Sequence, residues 1–135
     1  MKVYVDTNVL ASAFATRGLC ADVVRFVLAE HDFVTGEVNL QELRRVLDKR
    51  FHVPLRIVDE VEGLLRSYEV VPVPDDLPDI KVRDADDLKV LASAMAAEAD
   101  VLVTGDKDLL DVAAESPIRI VAPRGFWDMV RRRKR

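Results

Sequence analysis

The sequence predicts an α/β fold with a central, mainly parallel sheet covered by helices on both faces. Two observations carry this. Short apolar, β-branched runs recur along the chain ("KVYVD", "VLVT", "IRIVA"), and stretches with helical apolar spacing separate them. Parallel strands need crossovers of about a dozen residues or more, and most of these intervening stretches are long enough to supply them. A third observation sets the scale: 135 residues, 50% of them hydrophobic, suffice for one core.

The elements follow in order. "KVYVD", from Lys2 to Asp6, is the first strand. Residues 7–15 and 20–30 have helical spacing, interrupted at "TRG", with Val23, Val24, Val27 and Leu28 on one stripe. "DFVT" reads as a short strand or a loop. Residues 37–50 read as a helix with Val38, Leu40, Leu43, Val46 and Leu47 on one side. Pro54 stands where a helix can begin, and residues 55–69 carry Ile57, Val58, Val61, Leu64 and Leu65. "VVPV" is an extended run whose proline suggests a sheet edge. "PDDLPDIKVRDAD" is a loop punctuated by proline. Residues 86–98 form an Ala-rich helix, "VLVT" a strand, "DKDLLDVAA" a helix, "IRIVA" a strand and residues 123–133 a last helix. No repeat, low-complexity segment or linker breaks the series. Residues 1–130 therefore read as a single domain and 131–135 as a basic tail.

Composition removes several classes. The longest apolar-looking run, "VLASAMAAEADVLV", is broken by Glu98 and Asp100, so no membrane span is expected. Asp6 interrupts the apolar start, which is not a signal peptide. Cys20 stands alone, without a disulfide or zinc partner in the sequence, and reads as a small residue in an early helix. A cytoplasmic protein fits these features. The net charge of −4 conceals an imbalance, because "RRRKR" closes the chain and the body before it carries −9. An acidic body is unlike a generic nucleic-acid binder. The tail reads either as a solvated terminus or as a grip on phosphate.

The acids have a pattern. Asp6 directly follows "VYV", and Asp106 follows "VLVTG". In open α/β sheets ligands bind beyond the carboxyl ends of the strands. Both carboxylates therefore reach one rim if their strands are neighbours, and an acidic rim needs a cation or solvent. Asp84, Asp86 and Asp87 open the Ala-rich helix. One aspartate there is an ordinary cap or dipole partner; three exceed what a cap needs. Glu42, by itself, reads as a surface residue of an amphipathic helix. Converging carboxylates form an all-oxygen site suited to Mg²⁺ or Mn²⁺. Such an ion activates water and neutralises a phosphoryl group. His31 and His52 stand alone, and no P-loop or dinucleotide glycine pattern is present.

"VYVDTNVLASAF", "VNLQELRRVL" and "RDADDLKVLASAMAAEADVLVTGDKDLL" together resemble the PIN-domain family of small nucleases, many of them VapC-like toxins of toxin–antitoxin pairs. The resemblance extends from residue 2 to about residue 127. It implies a three-layer α/β/α domain whose acids gather Mg²⁺ or Mn²⁺ and cut RNA. By resemblance Asp6 is the first acid, with Asn8 beside it. Glu42 is the second, Asp87 the third and Asp106 the fourth, with Thr104 before it and Asp108 as an accessory metal ligand. Three positions depart from the family's pattern. Gly36 stands where a small hydroxyl residue is common, Ala85 where proline is common, and Leu88 where a polar residue is common.

Within that resemblance Asp87 is taken as the residue facing the metal, because Leu91 and Ala94 then lie inward beneath it, and Asp86 as the helix cap. Asp6, Asp87 and Asp106 would hold the ion, and Glu42 would bind a second ion or orient water. Arg44, Arg45 and Lys49 could guide RNA phosphates or simply be a solvated helix face. A homodimer and a small antitoxin partner are implied as well. The apolar faces of helices 20–30 and 55–69 read as core, or as interfaces. Two rivals remain: a PIN scaffold that binds without cutting, and a phosphatase of the haloacid-dehalogenase type. The latter wants a second aspartate two residues after the first, where this chain has Asn8.

Overall fold

The structure, a computed structural model, describes residues 1–133. Five strands form one sheet: β1 (Lys2–Val5), β2 (Asp32–Gly36), β3 (Glu69–Val71), β4 (Val101–Val103) and β5 (Arg119–Val121). All pair in parallel, in the order β3-β2-β1-β4-β5. The helices are α1 (Thr7–Ala15), α2 (Leu19–Glu30), α3 (Glu37–Lys49), α4 (Leu55–Arg66), α5 (Ala85–Ala96), α6 (Lys107–Asp111) and α7 (Pro123–Arg133).

Strand residues alternate between two cores, as a period of two requires. Val3, Val5, Phe33, Val101 and Val103 join the cluster built by α1, α2, α3, α4 and α7. Tyr4, Val34, Leu102 and Ile120 join the cluster built with α5 and α6. The result is three layers. The stripes on α2 (Val23, Val24, Val27) and α4 (Val58, Val61, Leu65) are buried in the first core. Leu55 and Leu64 of α4 remain exposed. Leu91 on α5 is fully buried, a contribution of about 1.5–3 kcal/mol.

Differences from the sequence reading have local causes. "DFVT" is an interior strand rather than a loop, because β1 and β3 pair on its two sides. α4 stops at Arg66, not at residue 69, because the chain turns at Ser67 to enter β3. β3 lies at the sheet edge and ends at Val71, where Pro72 can no longer donate to a ladder. α5 begins at Ala85 and ends at Ala96, and Glu98 turns the chain with φ 56. Arg131 and Arg132 lie in the last turn of α7, whereas Lys134 and Arg135 of the basic tail lie outside the described residues. Among the described residues, no helix is long and apolar enough to cross a membrane.

Candidate active site at the strand ends

Asp6 sits between β1 and α1. Its N–H donates to Val103 O (3.0 Å), which seats it at the carboxyl end of the β1–β4 pair. Asp6 is only 4% exposed. A buried charge needs donors, and three meet it. Thr7 N–H (2.8 Å) and Asn39 Nδ2 (2.8 Å) donate to Oδ1, and Thr104 Oγ1 (2.6 Å) donates to Oδ2. Burial pushes its carboxyl up from the ordinary value. Those donors pull it down, and the Asp106 charge adds to the rise. Thr104 Oγ1 also accepts from Asp106 N–H (3.0 Å), so one hydroxyl ties the two strand-end acids together.

Asn39, fully buried on α3, was not among the residues expected from sequence. Its Nδ2 donates to Thr7 Oγ1 (2.9 Å) as well as to Asp6. Its Oδ1 accepts from the Tyr4 hydroxyl. An amide has one accepting end and one donating end, so Tyr4 turns the donating end toward Asp6. Burial pushes the Tyr4 phenol up from its ordinary value, and the hydroxyl keeps its proton. Gly36 leaves the room this needs. A Cβ there would collide with the Tyr4 hydroxyl and lie 3.3 Å from Ser93 Cβ. The departure at Gly36 is thus matched by Tyr4.

The third strand-end loop brings the other acids. Asp84, not Asp86, caps α5: its carboxylate accepts from Asp86 N–H (2.8 Å). The helix starts at Ala85, so the residue before it takes the cap, and Asp86 is left exposed with Lys89 at 3.9 Å. Asp87 turns toward α6. Asp87, Asp106 and Asp108 each bring a carboxylate oxygen within 4.8 Å of the other two. Asp106 also caps α6 by accepting from Asp108 N–H (2.8 Å). Asp87 is pushed up to about 8. Burial is the largest cause, followed by its hydrogen bond with Asp106 and the charges of Asp106, Asp84 and Asp6.

A cavity of about 770 Å³ opens from these acids, with Asp6, Glu42, Asp87 and Asp106 all in its lining. Glu42 is outside the tight group, and its carboxylate accepts from Arg45 Nη2 and Nε. Asn8 lines the cavity too, and its Oδ1 accepts from Gly105 N–H (3.0 Å). Of the three α3 cations expected to meet phosphates, Arg45 alone lines the cavity. Arg44 points to α4, where it pairs with Asp59 (2.9 Å) and Glu62 (2.8 Å). Lys49 stands 3.7 Å from Asp48, off the cavity. Successive residues on a helix lie about 100° apart, and this separates Arg44 from Arg45. Arg50 and Lys89, not singled out from sequence, do line it.

The sequence pattern of the PIN domain matches residues 2–108, most of the chain. The chain belongs to the PIN-domain family. No curated protein matches it by sequence. Solved structures share the fold. Against VapBC2 from Rickettsia felis bound to a DNA fragment from their promoter, the match covers 90% of this chain and 98% of that one. The identity is 15% and the TM-score 0.64. FitAB bound to an IR36 DNA fragment matches over 90% of this chain and 94% of that one, at 14% identity and TM-score 0.61. VapC20 of Mycobacterium tuberculosis, described as a sarcin-ricin loop cleaving toxin, matches over 82% and 94%, at 15% identity and TM-score 0.57.

In this PIN domain the acids stand where the strand order reverses. The chain leaves β1 for β2 and β3 on one side and returns to β4 on the other. The donor set is all oxygen, which fits a hard divalent cation. The raised Asp87 is in keeping with this: burial first, then the hydrogen bond and charge of Asp106, disfavour its ionised form, which a cation would stabilise.

Proposed function

We propose that this PIN domain is a metal-dependent endoribonuclease, the toxin of a toxin–antitoxin pair. The observation that carries the reading is the grouping of Asp87, Asp106 and Asp108 beside the three-donor carboxylate of Asp6. All but Asp108 line a cavity that also holds Arg45 and Lys89. The likeness in fold to VapC20 and VapBC2 supports it.

Asp6, Asp87 and Asp106 would hold Mg²⁺ or Mn²⁺, with Asp108 as an accessory ligand. When bound, the cation supplies charge for the cleaved phosphate and a more acidic water. The protein's own contributions follow from its contacts. Asp6 has both Oδ1 lone-pair directions occupied by Thr7 and Asn39, so Oδ2 is the oxygen it can offer. Thr104 holds that oxygen and the Asp106 backbone in one frame. Asp87 must lose its proton for the cation to bind. Glu42 would orient the attacking water or hold a second ion, and Arg45, anchored on Glu42, would meet a phosphate. Asn8 steadies the Gly105 turn that carries Asp106.

A cytoplasmic homodimer, inhibited by an antitoxin that enters the acidic cavity, completes the reading. The assay is cleavage of a panel of RNAs with Mn²⁺, with EDTA, and by Asp6→Asn. Cutting that needs Mn²⁺ and is lost in D6N supports the nuclease. Cutting that survives both treatments overturns the assignment. No Mn²⁺ uptake at millimolar concentration would instead favour the scaffold that binds without cutting.

A further inference from the structure

Beyond the acids the cavity runs along α3 to a cation that the cleavage chemistry leaves unused. Arg50 lies eight residues on from Glu42, about 12 Å along a helix rising 1.5 Å per residue. Its guanidinium sits over the Phe51 ring, 5.7 Å from the centroid, and both residues line the cavity. Phe51 packs against the core beneath, whereas Arg50 is exposed. The guanidinium is therefore the exposed member of the pair. The backbone fixes the place of this pair. After Phe51 the chain reverses through His52, at φ 54, and Val53 N–H returns to Leu47 O (2.8 Å).

Arg50 also differs from its neighbours in its partners. Arg44, Arg45 and Arg66 are each held by carboxylates. Among the described residues no carboxylate pairs with Arg50. In a protein of net charge −4, this cation rests on an aromatic ring inside the cavity that holds the acids. Guanidinium planes and aromatic rings stack unpaired bases, and stacking tolerates any base because each has a π-face.

We propose that Arg50 and Phe51 form a nucleotide subsite. It stacks an unpaired base of the RNA flanking the cleaved bond, with the guanidinium between the base and the phenyl ring. The inference rests on the nuclease reading and deepens it: the substrate is single-stranded at this position. A base within a duplex has its faces covered and cannot enter the stack.

The test uses the Mn²⁺-loaded protein and two substrates, a ten-nucleotide oligouridylate that reaches the subsite and a dinucleotide that does not. In Arg50→Ala, kcat/KM for the longer substrate should fall about tenfold, with cleavage of the dinucleotide and Mn²⁺ affinity by calorimetry unchanged. Arg50→Lys keeps the charge without the plane. It should lose activity on the longer substrate while retaining the salt dependence of binding, which R50A should lessen. Arg50 is exposed, so neither variant threatens folding. Equal losses on both substrates, wild-type behaviour of R50K, or equal competition by an RNA duplex would overturn the subsite while leaving the nuclease standing. A wild type that cuts no RNA with Mn²⁺ would remove both.

Discussion

The Tyr4 hydroxyl donates to Asn39 Oδ1, and through that amide a residue of the sheet's second face orients the buried carboxylate of Asp6. Tyr4, Asn39 and Asp6 are almost wholly buried, so any partner left unpaired stays unpaired. Tyr4→Phe strands Asn39 Oδ1, and Asn39→Ala takes the short acceptor from the Tyr4 hydroxyl, leaving it Ser93 and Thr35, while removing one donor from Asp6. Each should lower stability by about 1–3 kcal/mol, read by urea denaturation. The two losses should not add, because both changes remove the same Tyr4–Asn39 hydrogen bond. Additive losses would show that Tyr4 and Asn39 act separately.

Gly36 and Tyr4 form a second coupled pair. A methyl group at Gly36 would collide with the Tyr4 hydroxyl, whereas Ser93 lies at a distance that small shifts can relieve. Gly36→Ala should therefore destabilise the wild type by about 1–3 kcal/mol, the usual range for overpacking. The same change made together with Tyr4→Phe should cost clearly less, since the colliding atom is gone. Thermal melts of the two single variants and the double variant measure this. An equal cost in both backgrounds would mean that the hydroxyl is not what reserves the space.

The crowded acids give the metal-free protein a pH dependence with a definite sign. Asp87 rises from an ordinary 3.8 to about 8 in the folded chain. Between those values the folded form keeps a proton that the unfolded chain has released. The associated stability is complete below the lower value and is lost as pH climbs through the upper one. In EDTA, wild type should therefore lose more stability than Asp87→Asn as pH rises from about 5 to about 9. Mn²⁺ should restore wild type at the alkaline end and leave D87N largely unchanged. Parallel curves for the two proteins would show that Asp87 does not carry the proton.

Parts of this site were legible in the sequence for a plain reason. A carboxylate directly after an apolar strand, as Asp6 is, has one place to go in a parallel sheet. Asn39 carried no such mark. It sits beside Leu40 in an amphipathic helix and reads as an ordinary polar residue. It is buried because Tyr4 and Asp6, from another element, need an amide between them. Arg44 and Arg45 looked equivalent until Asp59 and Glu62 of α4 claimed the first. "DFVT" is four residues long and opens with Asp32, so its strand character comes from the neighbours on both sides. Asp86 and Asp87 are separated only by where α5 begins, and Asp84 decides that by taking the cap.

Thr104 gives the sharpest test of the site as a unit, because its hydroxyl serves two acids at once. It donates to Asp6 Oδ2 (2.6 Å) and accepts from Asp106 N–H (3.0 Å), although it is itself no cation ligand. Thr104→Val keeps the shape of this fully buried side chain and removes both bonds. Asp6 Oδ2 then loses its fixed direction, and the backbone leading to Asp106 loses an anchor. Supporting contacts of this kind are worth about 10–100-fold in metal affinity or activity. Calorimetric titration with Mn²⁺ should show a fall of that size in T104V, with the folded far-UV spectrum retained. Wild-type Mn²⁺ affinity in a folded T104V would mean that the two strand-end acids bind independently of the hydroxyl between them.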